Sequence, residues 1–146
     1  MKISIQKLNP NAIVPKPATS GSAGCDLHAC ITETITIQPG ETVKIPTGLA
    51  IALPTNKLAA FVFARSGLGI KHNITPANCV GVIDSDYRGE LIVGLQNHST
   101  KAFTVEPNDR IAQLVIMPVE QPEFEEVSSL DETERGQGGF GSTGTK

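Results

Sequence analysis

The chain of 146 residues has no tryptophan, one tyrosine and five phenylalanines, so aromatics make up only 4% of it. Its core therefore has to be built from Val, Ile, Leu and Ala. Cys25, Cys30 and Cys79 form an odd set without CxxC spacing, which argues against a disulfide framework. Charged residues are 18% of the chain, with no cluster of five basic residues, so no phosphate-tracking nucleic-acid surface is expected. No run approaches the ~18 apolar residues of a membrane span. The stretch MKISIQKLNPNAIVPKP lacks the apolar core of a signal peptide. Collagen, coiled coil and global disorder are excluded by composition. The expectation is a soluble, cytoplasmic protein of a reducing compartment, with no nucleic-acid and no membrane partner.

What is abundant is punctuation: 14 Gly and 10 Pro break the chain into short segments. Ile3 and Ile5 alternate with polar neighbours. Strand-like runs follow at 32–37, 42–53 (bent at Pro46 and Gly48), 58–64, 79–83, 90–97, 101–105 and 111–119. No eleven-residue window keeps an amphipathic helical pattern, although a short helix is expected after Ser66, across GLGIKHN. Such spacing predicts an all-β sandwich or barrel. Residues 1–119 carry ten basic and eight acidic residues; residues 120–146 carry two against seven. The first part is read as the folded core. The second reads as a C-terminal arm whose ordering entropy burial cannot cover.

Four places carry chemistry. Phe61–Ala64 leads into Arg65-Ser66-Gly67-Leu68-Gly69, a strand giving way to a helix start where N–H groups and an arginine could meet an anion. The alternative is a capped turn with a solvated arginine, and no GxxxxGK[ST] loop is present. In GVIDSDYRGE (81–90) an apolar strand breaks into a hairpin. It places Asp84 and Asp86 beside the only tyrosine, Tyr87, which suits either a general base with an aromatic neighbour or plain turn chemistry. Asp26, His28 and Cys30 would share one face of a strand and could ligate a transition metal, but no fourth-ligand pattern supports it. His72 and His98 read as surface residues. Finally, RGQGGFGSTGTK combines an arginine, a phenylalanine and a Ser-Thr pair with five glycines in positions 136–144. Those are parts of a phosphate clamp with an aromatic plate, and equally of a frayed end.

AGCDL (23–27), ARSGLG (64–69), GVIDSDYRGEL (81–91), DRIAQLV (109–115) and RGQGGFGSTG (135–144) resemble, in order, the five motifs of the trimeric deyoxyuridine triphosphatase (dUTPase) family. The resemblance spans about residues 23–144. It implies a jelly-roll-like distorted barrel or sandwich with one short helix, a flexible C-terminal arm, and a homotrimer with shared active sites. It also implies Mg²⁺-dependent hydrolysis of dUTP to dUMP and pyrophosphate, which keeps uracil out of DNA and supplies dUMP for thymidylate synthesis. By motif position, Asp84 matches the residue that activates water and Tyr87 the aromatic on the deoxyribose. Asn78 and the hairpin backbone match the groups that read uracil. Arg65, Ser66, Gly67 and Gln113 match phosphate contacts. Asp26 and Gln113 match groups that hold the metal through water. In the arm, Arg135, Gly141, Ser142 and Thr143 match terminal-phosphate contacts, and Phe140 the ring stacked on the base. Cys25, Gly69 and Asn73 depart from the common pattern, which favours an aromatic, Ala and Gly there; Asn tolerates the left-handed backbone that Gly would supply.

The charges agree with this resemblance. A triphosphate brings three or four negative charges, and the motifs supply only Arg65, Arg135 and neutral donors. A magnesium ion chelated by the phosphates makes up the deficit with few protein ligands. Two other readings share these residues: a dCTP deaminase-like enzyme of the same fold, which needs a glutamate acting on the base, and a non-catalytic nucleotide-binding trimer. No HxE…PCxxC signature of a zinc deaminase occurs.

Overall fold

The computed structural model describes residues 1–139. Its elements run β1 (Ser4–Lys7), β2 (Cys25–His28), β3 (Ile35–Ile37), β4 (Thr42–Pro46), β5 (Leu49–Ala52) and β6 (Leu58–Phe63). Helix α1 (Ser66–His72) follows, then β7 (Ile74–Pro76), β8 (Gly81–Ile83), β9 (Ile92–Asn97), β10 (Phe103–Val105) and β11 (Arg110–Pro118). The fold is thus all-β with one short helix. Among the described residues the strands form four small sheets, β1-β5, β10-β3, β2-β11-β6-β8 and β4-β9-β7, every pairing antiparallel. None closes into a barrel.

Alternation explains which faces are inside. Along β9, Val93, Leu95 and Asn97 are buried while Ile92 is exposed and Gly94 and Gln96 are half-buried. Every buried hydrophobic side chain among the described residues is Ala, Val, Ile or Leu, as the poverty in aromatics requires. Leu27, Ile37, Ile45, Leu49, Leu91 and Leu95 lie at its centre, each contributing about 1.5–3 kcal/mol by burial.

The run 42–53 divides at Thr47-Gly48, where Gly48 takes φ +68° and a Cβ would sit 2.9 Å from both Ala12 Cβ and Cys30 Sγ. Only glycine fits there. Asn73 ends α1 in the left-handed region, at φ 54°, ψ 37°, the conformation asparagine tolerates. The strand over Ile74–Pro76 was not marked by the sequence pattern, because its three residues are too few to show a period; pairing with β9 makes it. The runs beginning at 32 and 101 shorten to Ile35–Ile37 and Phe103–Val105, which pair with each other.

Residues 120–139 contain no helix or strand. The last sheet-edge contacts are Val119 N–H donating to Lys57 O at 3.0 Å and a reciprocal amide pair, Asn56 Nδ2 to Gln121 Oε1 (2.9 Å) and Gln121 Nε2 to Asn56 O (3.0 Å). No helix among the described residues is long and apolar enough to cross a membrane.

Candidate active site

The predicted site residues of the folded core fall into two groups, positioned by the two ends of β6. The first group is built across β2, β11 and β6, where Asp26 lies opposite Gln113 and Gln113 opposite Phe63. Two residues beyond Phe63, Arg65 reaches back, and its Nε donates to Asp26 Oδ1 at 2.7 Å. Arg110 Nη1 donates to the other carboxylate oxygen at 3.2 Å. One carboxylate between two guanidiniums leaves the trio at net +1, a suitable charge for an anion. Asp26 and Arg65 are both about three-quarters shielded, at 24% and 23% side-chain exposure, so solvent screens this pair less than a surface bridge. Arg65 Nη1 also donates to Arg110 O at 3.3 Å, and its Nη2 makes no hydrogen bond among the described residues. Ser66 and Gly67, the first residues of α1, are exposed beside it.

Gln113 donates through Nε2 to Ala64 O at 2.9 Å, which turns Oε1 toward Gly24. A Cβ on Gly24 would lie 2.7 Å from that oxygen. The cradle therefore depends on a missing side chain. Its donor set is hard oxygen: the Asp26 carboxylate and the Gln113 amide. Such donors fit a magnesium ion that keeps its own waters. Among the described residues no group of three His, Cys, Asp or Glu gathers as a metal centre. The Asp26–His28–Cys30 face is also broken, since β2 ends at His28 and Cys30 N–H goes to Pro46 O at 2.8 Å.

His28 Nδ1 is buried without a hydrogen-bond partner. Burial pushes its imidazole below the usual histidine range; Asp26 opposes this, and Arg110 and Arg65 add to it. Burial, then Asp26, pushes the Cys25 thiol up. Cys25, Cys30 and Cys79 are all free. His72 and His98 are exposed, the former against Phe103 with ring centroids 5.3 Å apart, the latter 3.0 Å from Thr75 Oγ1.

The second group lies at the other end of β6. Ala60 pairs with Ile83, so Asp84 comes next to Ala59, and both border a cleft of about 520 Å³ with Asn56 and Gln121. On the adjoining side a pocket of about 420 Å³ is lined by Asn78, Val82, Ile83, Ile92 and Gly94. Asn78 Nδ2 would lie 3.5 Å from a Cβ on Gly81. Tyr87 is 44% exposed; its N–H donates to Asp84 O at 3.2 Å and its hydroxyl to Glu90 O at 3.1 Å. From Ala59 to Arg65 the chain is extended, which separates Asp84 from Arg65 by about 20 Å along the strand. Arg135 is exposed in the arm, and Phe140, Gly141, Ser142 and Thr143 lie outside the described residues.

The reading of the sequence missed two residues of this arrangement, Arg110 and Glu90. Arg110 stands in the same DRIAQLV segment as Gln113, and a basic residue there was the available signal.

Comparison with known proteins identifies the family. The dUTPase family matches residues 10–144. The deoxyuridine 5'-triphosphate nucleotidohydrolase of Hahella chejuensis is 53% identical over 146 residues, covering 100% of this chain and 96% of its own. That of Enterobacter sp. is 50% identical, covering 99% and 98%. The dUTPase of Staphylococcus bacteriophage 80alpha with dUPNHPP superposes with a TM-score of 0.88 at 27% identity, covering 98% of each chain. A dUTPase mutant from phage phi11 of S. aureus, described for its coordination of a structural Mg(II) ion, shares the fold with a TM-score of 0.81 at 23% identity, covering 90% of this chain and 100% of its own. With the family matching residues 10–144 and half of its residues shared with such relatives over nearly the whole length, the chain belongs to the dUTPase family.

Proposed function

We propose that the chain hydrolyses dUTP to dUMP and pyrophosphate, with Asp84 as the general base that takes a proton from the attacking water. The carrying observation is the placement of Asp84 on one hairpin with Tyr87, beside the largely apolar pocket that holds Asn78. A flat base enters that pocket, Asn78 and backbone groups of the hairpin read its edge, and Tyr87 covers the deoxyribose. A base so close to the nucleoside end activates water against the nearest phosphorus, the α. The new P–O bond forms as the bond to the β-phosphate oxygen breaks, and pyrophosphate leaves.

Arg65, Ser66, Gly67 and Gln113 take the phosphates, with Arg135, Gly141, Ser142 and Thr143 of the arm on the terminal one and Phe140 on the base. Asp26 and Gln113 would hold Mg²⁺ through its waters. When bound, that ion neutralises phosphate charge that Arg65 and Arg135 cannot match alone.

The separation of Asp84 from Arg65 supports a homotrimer in which each site draws on more than one subunit. A triphosphate does not bridge the length of β6. The outer face of the β2-β11-β6-β8 sheet supports the same reading, because half-buried Phe61, Phe63, Val115 and Met117 stand there with Val82, which is 60% exposed. Burying such a face between copies is favourable. In this reading residues 1–119 are the catalytic core and 120–146 the arm that closes over a site.

The deaminase reading needs a free glutamate at the base. Glu90, the only glutamate of the hairpin, has Oε1 occupied by the Gly48 N–H at 2.7 Å. The test is pyrophosphate release from dUTP with Mg²⁺. Asp84→Asn keeps the shape and should lower kcat by ~10²–10⁴-fold with KM little changed. A variant that keeps most of its kcat would overturn the assignment.

A further inference from the structure

Between Asp84 and Leu91 the chain has no ladder partner, and Asp84, Asp86, Tyr87 and Arg88 are exposed. The return limb of this hairpin is nevertheless tightly held. Thr47 Oγ1 and Thr47 N–H donate to Leu91 O at 2.7 and 3.3 Å, Leu91 N–H to Leu49 O at 2.8 Å, and Gly48 N–H to Glu90 Oε1 at 2.7 Å. Thr47 is 1% exposed, and Gly48 is wedged against Ala12 and Cys30 while its own carbonyl accepts from Leu8 N–H at 2.7 Å. The β4–β5 corner is thus a fixed block, and Glu90 is the first side chain after Asp84 anchored to it. Tyr87 is tied to the same residue, because its hydroxyl donates to Glu90 O. Its ring also lies so close over Gly89 that a Cβ there would overlap the ring edge.

We infer that Glu90 is a positioning residue for sugar selection: its carboxylate, held by Gly48 N–H, fixes the carbonyl that holds the Tyr87 hydroxyl and so fixes the ring. This rests on the reading that Tyr87 covers the deoxyribose. Ribose differs there by one hydroxyl, which an apolar surface rejects poorly unless it cannot retreat. A ring tethered at its hydroxyl cannot move aside; a ring on an untethered hairpin can.

The chain's composition supplies a direct probe. With no tryptophan and one tyrosine, intrinsic fluorescence reports Tyr87 alone. Glu90→Ala should lower the fluorescence anisotropy and increase acrylamide quenching. It should also reduce the dUTP/UTP ratio of kcat/KM by about 5-fold or more, chiefly through a gain for UTP. Glu90→Gln keeps an oxygen for Gly48 N–H and should restore both readouts. Should Glu90→Ala fail to fold, Glu90→Asp, one methylene short of Gly48, should give the same shifts in smaller measure.

Equal losses for dUTP and UTP with an unchanged ratio would make Glu90 merely structural and overturn the inference. So would unchanged anisotropy. Tyr87→Ala separates the two layers. If it lowers the ratio while Glu90→Ala does not, the positioning fails and the sugar reading stands. If Tyr87→Ala leaves the ratio unmoved, the sugar reading falls and the inference falls with it.

Discussion

Asp84 and Arg65 stand at opposite ends of β6, Asp84 beside Ala59 through the register that pairs Ala60 with Ile83, and Arg65 two residues past the strand's last. In the proposed reading Asp84 is the base and Arg65 a phosphate contact, and at this separation they serve one substrate only if each comes from a different copy. The consequence is complementation between inactive chains. Asp84→Asn and Arg65→Ala should each be nearly inactive alone. In trimers refolded from an equal mixture, about one site in four receives both intact residues, so about a quarter of the wild-type activity should return. No recovery in confirmed mixed trimers would mean that both residues act from a single chain.

Gly24 offers a separate test of the proposed Mg²⁺ cradle. An alanine Cβ would sit 2.7 Å from Gln113 Oε1, the far end of a flexible side chain that can swing away. The fold should lose only the Gln113–Ala64 hydrogen bond, about 1 kcal/mol or less. The Mg²⁺ concentration giving half-maximal activity should nevertheless rise several-fold. Unchanged Mg²⁺ dependence in the folded variant would remove Gln113 from the cradle.

The departures from the family pattern lead to a stability prediction. Gly69 lies inside α1, and a Cβ there would meet only Thr75 Cγ2, at 3.8 Å. Neither space nor positive φ requires glycine, so Gly69→Ala should stabilise by roughly 0.5–1 kcal/mol through helix propensity. Thermal melting should rise by a few degrees. A fall would overturn the reading that position 69 does not require glycine.

Much of this was legible in the sequence where the signal was local. Alternation over 42–53 and the β-type run 90–97 marked strands, and the glycine and proline punctuation marked their ends. The short helix after Ser66 was expected across GLGIKHN, with Asn73, noted as tolerating a left-handed backbone, ending it. The all-β class followed, and so did an aliphatic core. What stayed hidden depends on contacts between distant residues. Ile74–Pro76 becomes a strand only through β9. Arg110 joins Asp26 across 84 positions, through a bulge between Arg110 and Ala112 that no period reveals. Glu90 finds Gly48 across 42 positions. The motif residues themselves were visible by resemblance, but their division between the two ends of β6 required the register.

The arm gives the last prediction. Its anchor is the Asn56–Gln121 amide pair, and beyond it the described hydrogen bonds are local: Gly136 N–H to Thr133 O and Oγ1, and Gly138 N–H to Arg135 O. Nothing in 122–139 packs into the core. Deleting residues 136–146 should therefore leave the melting temperature nearly intact, because none of the described residues it removes, 136–139, belongs to the core. It removes Phe140, Gly141, Ser142 and Thr143, so kcat/KM for dUTP should drop by ~10-fold or more. Trypsin supplies a second measure. Arg135 is exposed, so cleavage after it should be rapid in the free protein and slowed by Mg²⁺ with dUPNHPP, if the arm closes over bound nucleotide. Equal cleavage with and without the analogue, or full activity in the shortened chain, would show that these glycines serve no site.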